Sequence, residues 1–129
     1  MNKNKSKKKS GFAKTKRYPG KQHPAYYRQL SSDEVEYTTF TKRDPARIDG
    51  KDVPVRKLSS NINPQKRGKE PSNVVDRVFV GKRSSLHKNE PTYRFASKKD
   101  KDIVEDILNN SCRVRVDYTS NSKTKKNKQ

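Results

Sequence analysis

Tryptophan is absent from this chain, cysteine and methionine occur once each, and histidine occurs twice. A single cysteine, Cys112, excludes an internal disulfide and any zinc site built from clustered cysteines, and such sparing use fits a reducing compartment. No run approaches the roughly 20 consecutive apolar residues that a membrane span needs, and no apolar segment follows the N-terminal lysines as a secretory signal requires. These absences predict a cytoplasmic protein. The familiar marks of catalysis are also missing: there is no His/Cys metal spacing, no glycine-rich phosphate loop and no Ser/His/Asp order. No metal or cofactor is expected, and only His23 and His87 offer a base near neutral pH. A lone histidine on a loop is more often an ordinary surface residue than a catalyst.

Apolar residues are also scarce. Of 129 residues 26% are hydrophobic and 36% charged, with mean hydropathy −1.38, a composition close to the border of disorder. The charge is concentrated at the ends. Thirteen of the 33 basic residues and none of the 14 acidic ones lie in 1–24 and 119–129, which leaves 20 basic against 14 acidic residues between them. The middle is therefore compatible with an ordinary small domain. Residues 1–21 read as a disordered basic tail, 22–118 as one small β-barrel-like domain, and 119–129 as a second disordered basic tail.

A formal charge of +19 restricts the partners. Nucleic acid leads, because each Lys or Arg that meets a phosphate releases condensed counterions and produces salt-sensitive attraction. A membrane surface is not expected, since the tail has no apolar face to insert beside its charges. The competing reading is that the lysine-rich ends serve only solubility, beside a domain that binds protein. Phe12, Tyr18 and Tyr27 are interleaved with the N-terminal cations and could stack on unpaired bases, while Tyr18 could equally pack where the tail meets the domain.

Regular alternation first appears at 25–41. Val35, Tyr37, Thr39 and Thr41 fall on one face and Glu34, Glu36, Thr38 and Phe40 on the other, after a Ser-Ser-Asp turn, which is a β-hairpin pattern. Asp49-Gly50 signals a tight turn between Ile48 and Val53, with Pro54 suited to an edge position. Residues 59–72 read as a long exposed loop, and loops of that length are usually functional or mobile. Residues 73–80, the most apolar segment, read as a central strand buried on both faces. A basic loop at 81–90 precedes a strand at 92–96 with Tyr93 and Phe95 inward. Ser97 and Asp100 have capping-box spacing ahead of Ile103, Val104, Ile107 and Leu108, which share one helical face and predict a helix over 98–109. Cys112, Val114, Val116 and Tyr118 alternate with charge and form a last strand, with Cys112 read as a small core residue. The expected class is α+β: a small, strongly bent antiparallel sheet or SH3-like barrel with one short helix and disordered basic tails.

The order of these segments resembles the small β-barrel toxins of the MazF/PemK family. The matching residues are His23-Pro24 ahead of the first strand, 35–41 as a strand ending in threonine, 71–80 as the central strand, 81–86 after it, and 98–109 as the helix. The resemblance implies an RNA-binding barrel that cleaves without a metal, forms a homodimer and is neutralised by an antitoxin-like protein. It also implies a site at Thr41 and at the residue before Pro24, where this chain has His23 in place of the family's arginine. Metal-free cleavage needs groups to take and return a proton and a cation on the phosphorane. His23 suits the first task, and Lys21, Lys42 or Arg43 the second.

Two functions are therefore carried forward. The favoured one is a nucleic-acid-binding module, RNA in preference to DNA, that uses Lys21, Lys42, Arg77, Lys82, Arg83, Arg113 and Arg115. The alternative is an active endoribonuclease with His23, Thr41 and Arg43 around one phosphate.

Overall fold

The computed structural model describes residues 9–19 and 22–116. The strands are β1 (Ser10–Lys14), β2 (Pro24–Gln29), β3 (Glu34–Thr41), β4 (Ala46–Ile48), β5 (Lys51–Val53), β6 (Val55–Lys57), β7 (Asn73–Val75), β8 (Val78–Lys82) and β9 (Arg113–Val116), with the helix α1 (Lys98–Asn110) before β9. Seven strands form one sheet and β4–β5 a separate hairpin. The α+β expectation stands: among the described residues most of the regular secondary structure is strand, with a single α-helix.

The centre of the sheet is β3. It pairs with β2 along one edge, and on the other with β8 at its start and β7 at its end. Strict alternation sends its side chains into two cores, Val35 and Tyr37 to one and Phe40 to the other. Neighbouring strands divide in the same way: Ala13, Ala25, Tyr27, Val75, Phe79 and Val116 join Val35, while Phe12, Tyr26, Val74 and Val78 join Phe40. The first face is covered by Ala46, Ile48 and Val53 of the β4–β5 hairpin. The second is covered by Val104, Ile107 and Leu108 of α1. Each such side chain contributes about 1.5–3 kcal/mol through burial, which is how so polar a chain sustains two cores.

The helix begins where its cap is placed. Ser97 Oγ accepts the Asp100 amide at 3.2 Å. The Asp100 carboxylate turns away from the helix and accepts from the Ser59 amide at 2.8 Å and the Ser59 hydroxyl at 2.9 Å, tying the helix start to the chain after β6. At the hairpin turn both Asp49 (φ 53°) and Gly50 (φ 77°) take the left-handed conformation that a two-residue β-turn demands.

The structure corrects five expectations. First, residues 10–14 are no tail: β1 pairs with β2 over five residues and buries Phe12 and Ala13. The surrounding lysines hide this strand, because two apolar residues are too few to register as periodicity. Second, the 73–80 segment is two strands. Asp76 and Arg77 intervene as a bulge, and the register against β3 slips by two residues between β7 and β8. Third, the sheet is mixed: β9 runs parallel to β8, with Gly81 at the closest approach, where a Cβ would lie 2.7 Å from the Val116 carbonyl oxygen. Fourth, 92–96 forms turn and coil, although Tyr93 and Phe95 still pack on the helix-side core. Fifth, Cys112 is exposed, because β9 begins one residue later and Cys112 contributes its carbonyl to the Val78 amide. Residues 1–8 and 117–129, the greater part of the two basic ends, lie outside the described residues.

The chain after β8 returns along β1. Leu86 bridges Thr15, the Lys16 amide donates to the Ser85 carbonyl at 3.0 Å, and the His87 and Glu90 amides donate to the carbonyls of Lys14 and Phe12 at 2.8 Å each. The outer edge of β1 is thus covered.

Candidate nucleic-acid interface

In the β2–β3 register Ala25 lies opposite Thr39. The pairing ends there, and two residues beyond it on each strand His23 and Thr41 line the same clefts. The position of His23 is held from the residue that follows β1: the Thr15 amide donates to its carbonyl at 2.9 Å and its own amide donates to Thr15 Oγ1 at 3.1 Å. Beyond the end of β3, Thr41 Oγ1 accepts the Arg43 amide at 3.1 Å and so bends the chain. Asn73, opposite Thr41 on β7, donates its side-chain amide to the carbonyls of Lys42 at 3.4 Å and Arg43 at 3.1 Å. Three strands therefore fix one corner.

Two clefts meet at this corner. His23, Thr41, Lys42, Arg43, Lys66 and Tyr93 line one of about 370 Å³. His23, Thr41 and Arg43 also line the other, of about 320 Å³, together with Arg47. Neither is lined by a carboxylate, and no acidic residue among those described pairs with Lys42, Arg43 or Lys66. Uncompensated cations in a concave wall concentrate positive potential.

The far wall is the 59–72 segment, and it is ordered by its own hydrogen bonds. The Asn61 side chain accepts the Asn63 amide at 3.0 Å, and the Asn63 side chain accepts the Gln65 amide at 3.0 Å, which opens a short 3-10 turn at Pro64–Lys66. Ser72 Oγ accepts the Ile62 amide at 3.1 Å, and Ile62 inserts into the helix-side core. Arg67 spends its guanidinium on the carbonyls of Asn61 at 2.8 Å and Arg94 at 3.1 Å. The cation presented to the cleft is thus Lys66.

The remaining expected residues do not converge here. Lys21 lies outside the described residues. Arg77 sits in the β7–β8 bulge, partly buried, with Nε enclosed and without a partner. Arg113 donates to the buried Glu36 carboxylate and to the Leu108 carbonyl, and Arg115 pairs with Glu34 at 3.0 Å. Both guanidiniums are paired with carboxylates, and neither residue lines the two clefts. Lys82 and Arg83 lie in a different groove.

The sequence reading missed Lys66 and Tyr93 as lining residues. The length of the 59–72 loop was the available signal for the first; for the second, assigning 92–96 as a buried strand turned Tyr93 inward. The chain matches no family model, no curated protein and no solved structure. Among the described residues no helix is long and apolar enough to cross a membrane.

Proposed function

We propose that the protein binds single-stranded nucleic acid, RNA in preference to DNA, in the His23–Thr41 cleft. One observation carries this reading: Lys42, Arg43 and Lys66 line a cleft free of lining carboxylates, together with Tyr93, Asn61 and Asn63. Cations meet phosphates, an aromatic ring stacks on a base, and carboxamides and the Thr41 hydroxyl can meet base edges or a 2′-hydroxyl. The return of 85–90 onto β1 supports reading β1, β2, β3 and β8 as a small SH3-like barrel with the cleft at its end. The test is fluorescence anisotropy with labelled single-stranded RNA and DNA across a salt series. Replacing Lys42 and Lys66 by Gln is expected to lower the magnitude of the log K against log[salt] slope by about 1.4, at about 0.7 per phosphate contact. Affinity indifferent to salt and to both substitutions would overturn the reading.

A second reading, metal-independent RNA cleavage of the MazF/PemK kind, is favoured by the shared placement of His23, Thr41 and Arg43 in both clefts. His23 would take the 2′-hydroxyl proton as that oxygen bonds to phosphorus. Its imidazolium would then return the proton to the 5′-oxygen as the P–O5′ bond breaks, leaving a 2′,3′-cyclic phosphate, with Arg43 or Lys42 opposite the phosphorane charge. Incubation of single-stranded RNA with the protein in EDTA decides it: cleavage lost in His23→Ala and Thr41→Ala supports this chemistry, and intact RNA removes it while leaving the binding reading in place.

A further inference from the structure

A second cationic surface lies outside the cleft, and nothing so far accounts for it. Lys16, Lys82, Arg83 and Lys88 line a groove of about 660 Å³ together with His87. Arg83 and Lys88 also line its neighbour of about 590 Å³, where they are joined by Lys9. Against these five cations stands one lining carboxylate, Asp33, which is 3.7 Å from Lys82 and largely exposed.

Arg83 is fixed before any ligand arrives. Its Nη1 donates to the carbonyls of Leu86 at 3.3 Å and His87 at 3.0 Å, its Nη2 donates to Asn89 Oδ1 at 3.1 Å, and its Cζ lies 4.8 Å from the Tyr27 ring centroid. A guanidinium has five N–H groups and these bonds use three, which leaves a preordered cation with donors to spare. The lysines around it are exposed.

The junction with the first site is Thr15. It exchanges hydrogen bonds with His23, which lines both clefts, and its neighbour Lys16 lines the groove. The backbone through Thr15 and Lys16 thus gives a path between the cleft that Lys66 and Arg43 line and the grooves that Lys16, Arg83, Lys88 and Lys9 line.

We propose that this path holds the phosphodiester backbone of the same strand whose bases occupy the His23–Thr41 cleft. The inference rests on the polynucleotide reading of that cleft, and it makes the protein a reader of an extended strand rather than of an isolated nucleotide. Charge complementarity points to a polyanion. A membrane surface fits poorly, because Leu30 is the one large apolar side chain exposed among the described residues, and interfacial binding needs an apolar face.

The test compares the full chain with a Lys16→Gln, Lys82→Gln, Lys88→Gln variant, using single-stranded RNAs of about 4 and about 16 nucleotides, the range over which small barrels engage single strands. The short RNA is expected to bind both proteins equally. For the long RNA, the variant is expected to lose about 2 from the magnitude of the salt slope, at about 0.7 for each of three phosphate contacts. An unchanged slope with the long RNA overturns the proposal and leaves the cleft reading intact. Equal weakening with both lengths also overturns it, since the lysines would then act on the cleft itself. Failure of the short RNA to bind the unaltered protein overturns the cleft reading instead. Capture of phosphatidylserine vesicles without any gain from the longer RNA would assign the path to a membrane and overturn the proposal as well.

Discussion

Arg113 of β9 donates to Oε1 of Glu36 on β3, a carboxylate whose side chain is 2% exposed. Arg28 on β2 holds the other oxygen at 3.0 Å and also donates to Asn109 near the end of the helix at 2.8 Å. Two guanidiniums thus enclose one buried charge and join three strands to the helix terminus. Arg113, whose side chain stays 46% exposed, is thus engaged with a carboxylate.

The commitment has a measurable cost when broken. Replacing both Arg28 and Arg113 by Met strands the carboxylate in the interior, and the expected loss is about 3–5 kcal/mol in urea unfolding. Adding Glu36→Gln to that double variant removes the buried charge and should recover part of the loss. A double variant as stable as the parent, or no recovery, would show that Glu36 is hydrated. With RNA in the His23–Thr41 cleft as proposed, replacing Arg113 alone is expected to leave RNA affinity and its salt slope unchanged.

The ring of Phe12 lies 5.0 Å from Tyr26, 5.9 Å from Phe40 and 4.8 Å from Phe95, so β1 supplies the centre of the helix-side core. Phe12→Ala is expected to cost about 3–5 kcal/mol. A cost below about 1 kcal/mol, the level of a surface substitution, would return this segment to the tail.

These two cases show where sequence reading ends. The helix was legible because Val104, Ile107 and Leu108 repeat at helical spacing behind a serine cap, and the Asp49-Gly50 hairpin because only a few residue pairs accept two positive φ angles. Those signals are local. The β1 strand, the bulge at Asp76 and Arg77, and the parallel β9 depend on partners distant in the chain, so nothing within a short window distinguishes them. The corner joining His23 to Thr41 was half legible: the two strands were visible, while the ordered 59–72 wall rests on asparagine and serine hydrogen bonds that resemble any loop until their acceptors are known.

On the outer face of the helix, Arg56 donates to Asp106 at 2.7 Å and Asn110 donates to its other oxygen at 2.7 Å. The Arg56 hydrogen bond, followed by that from Asn110, holds the Asp106 carboxyl below the ordinary aspartate value. A folded-state value below the unfolded one contributes stability that is present above the unfolded value and is lost as pH falls through the folded one. An NMR titration of the Asp106 carboxyl should show a lowered midpoint that rises in Arg56→Gln. A midpoint at or above the ordinary value in the parent protein would contradict the geometry.

Tyr93 separates a nucleic-acid site from a merely cationic one. Its ring packs edge-on near Phe12, at 6.2 Å between centroids, while the residue also lines the cleft beside Lys42 and Lys66. A base stacked on it is worth about 1–3 kcal/mol by alanine substitution. Tyr93→Ala should therefore weaken single-stranded RNA by about 5- to 150-fold, from the equivalence of 1.4 kcal/mol and a factor of ten. The salt slope should not change, because no phosphate contact is lost. Tyr93→Phe keeps the ring and should retain most of the affinity, which separates stacking from a role for the hydroxyl. Heparin carries charge but no bases, so its affinity for Tyr93→Ala should match the parent; equal losses for heparin and RNA would mean that the substitution has disturbed the cleft rather than removed a stacking surface.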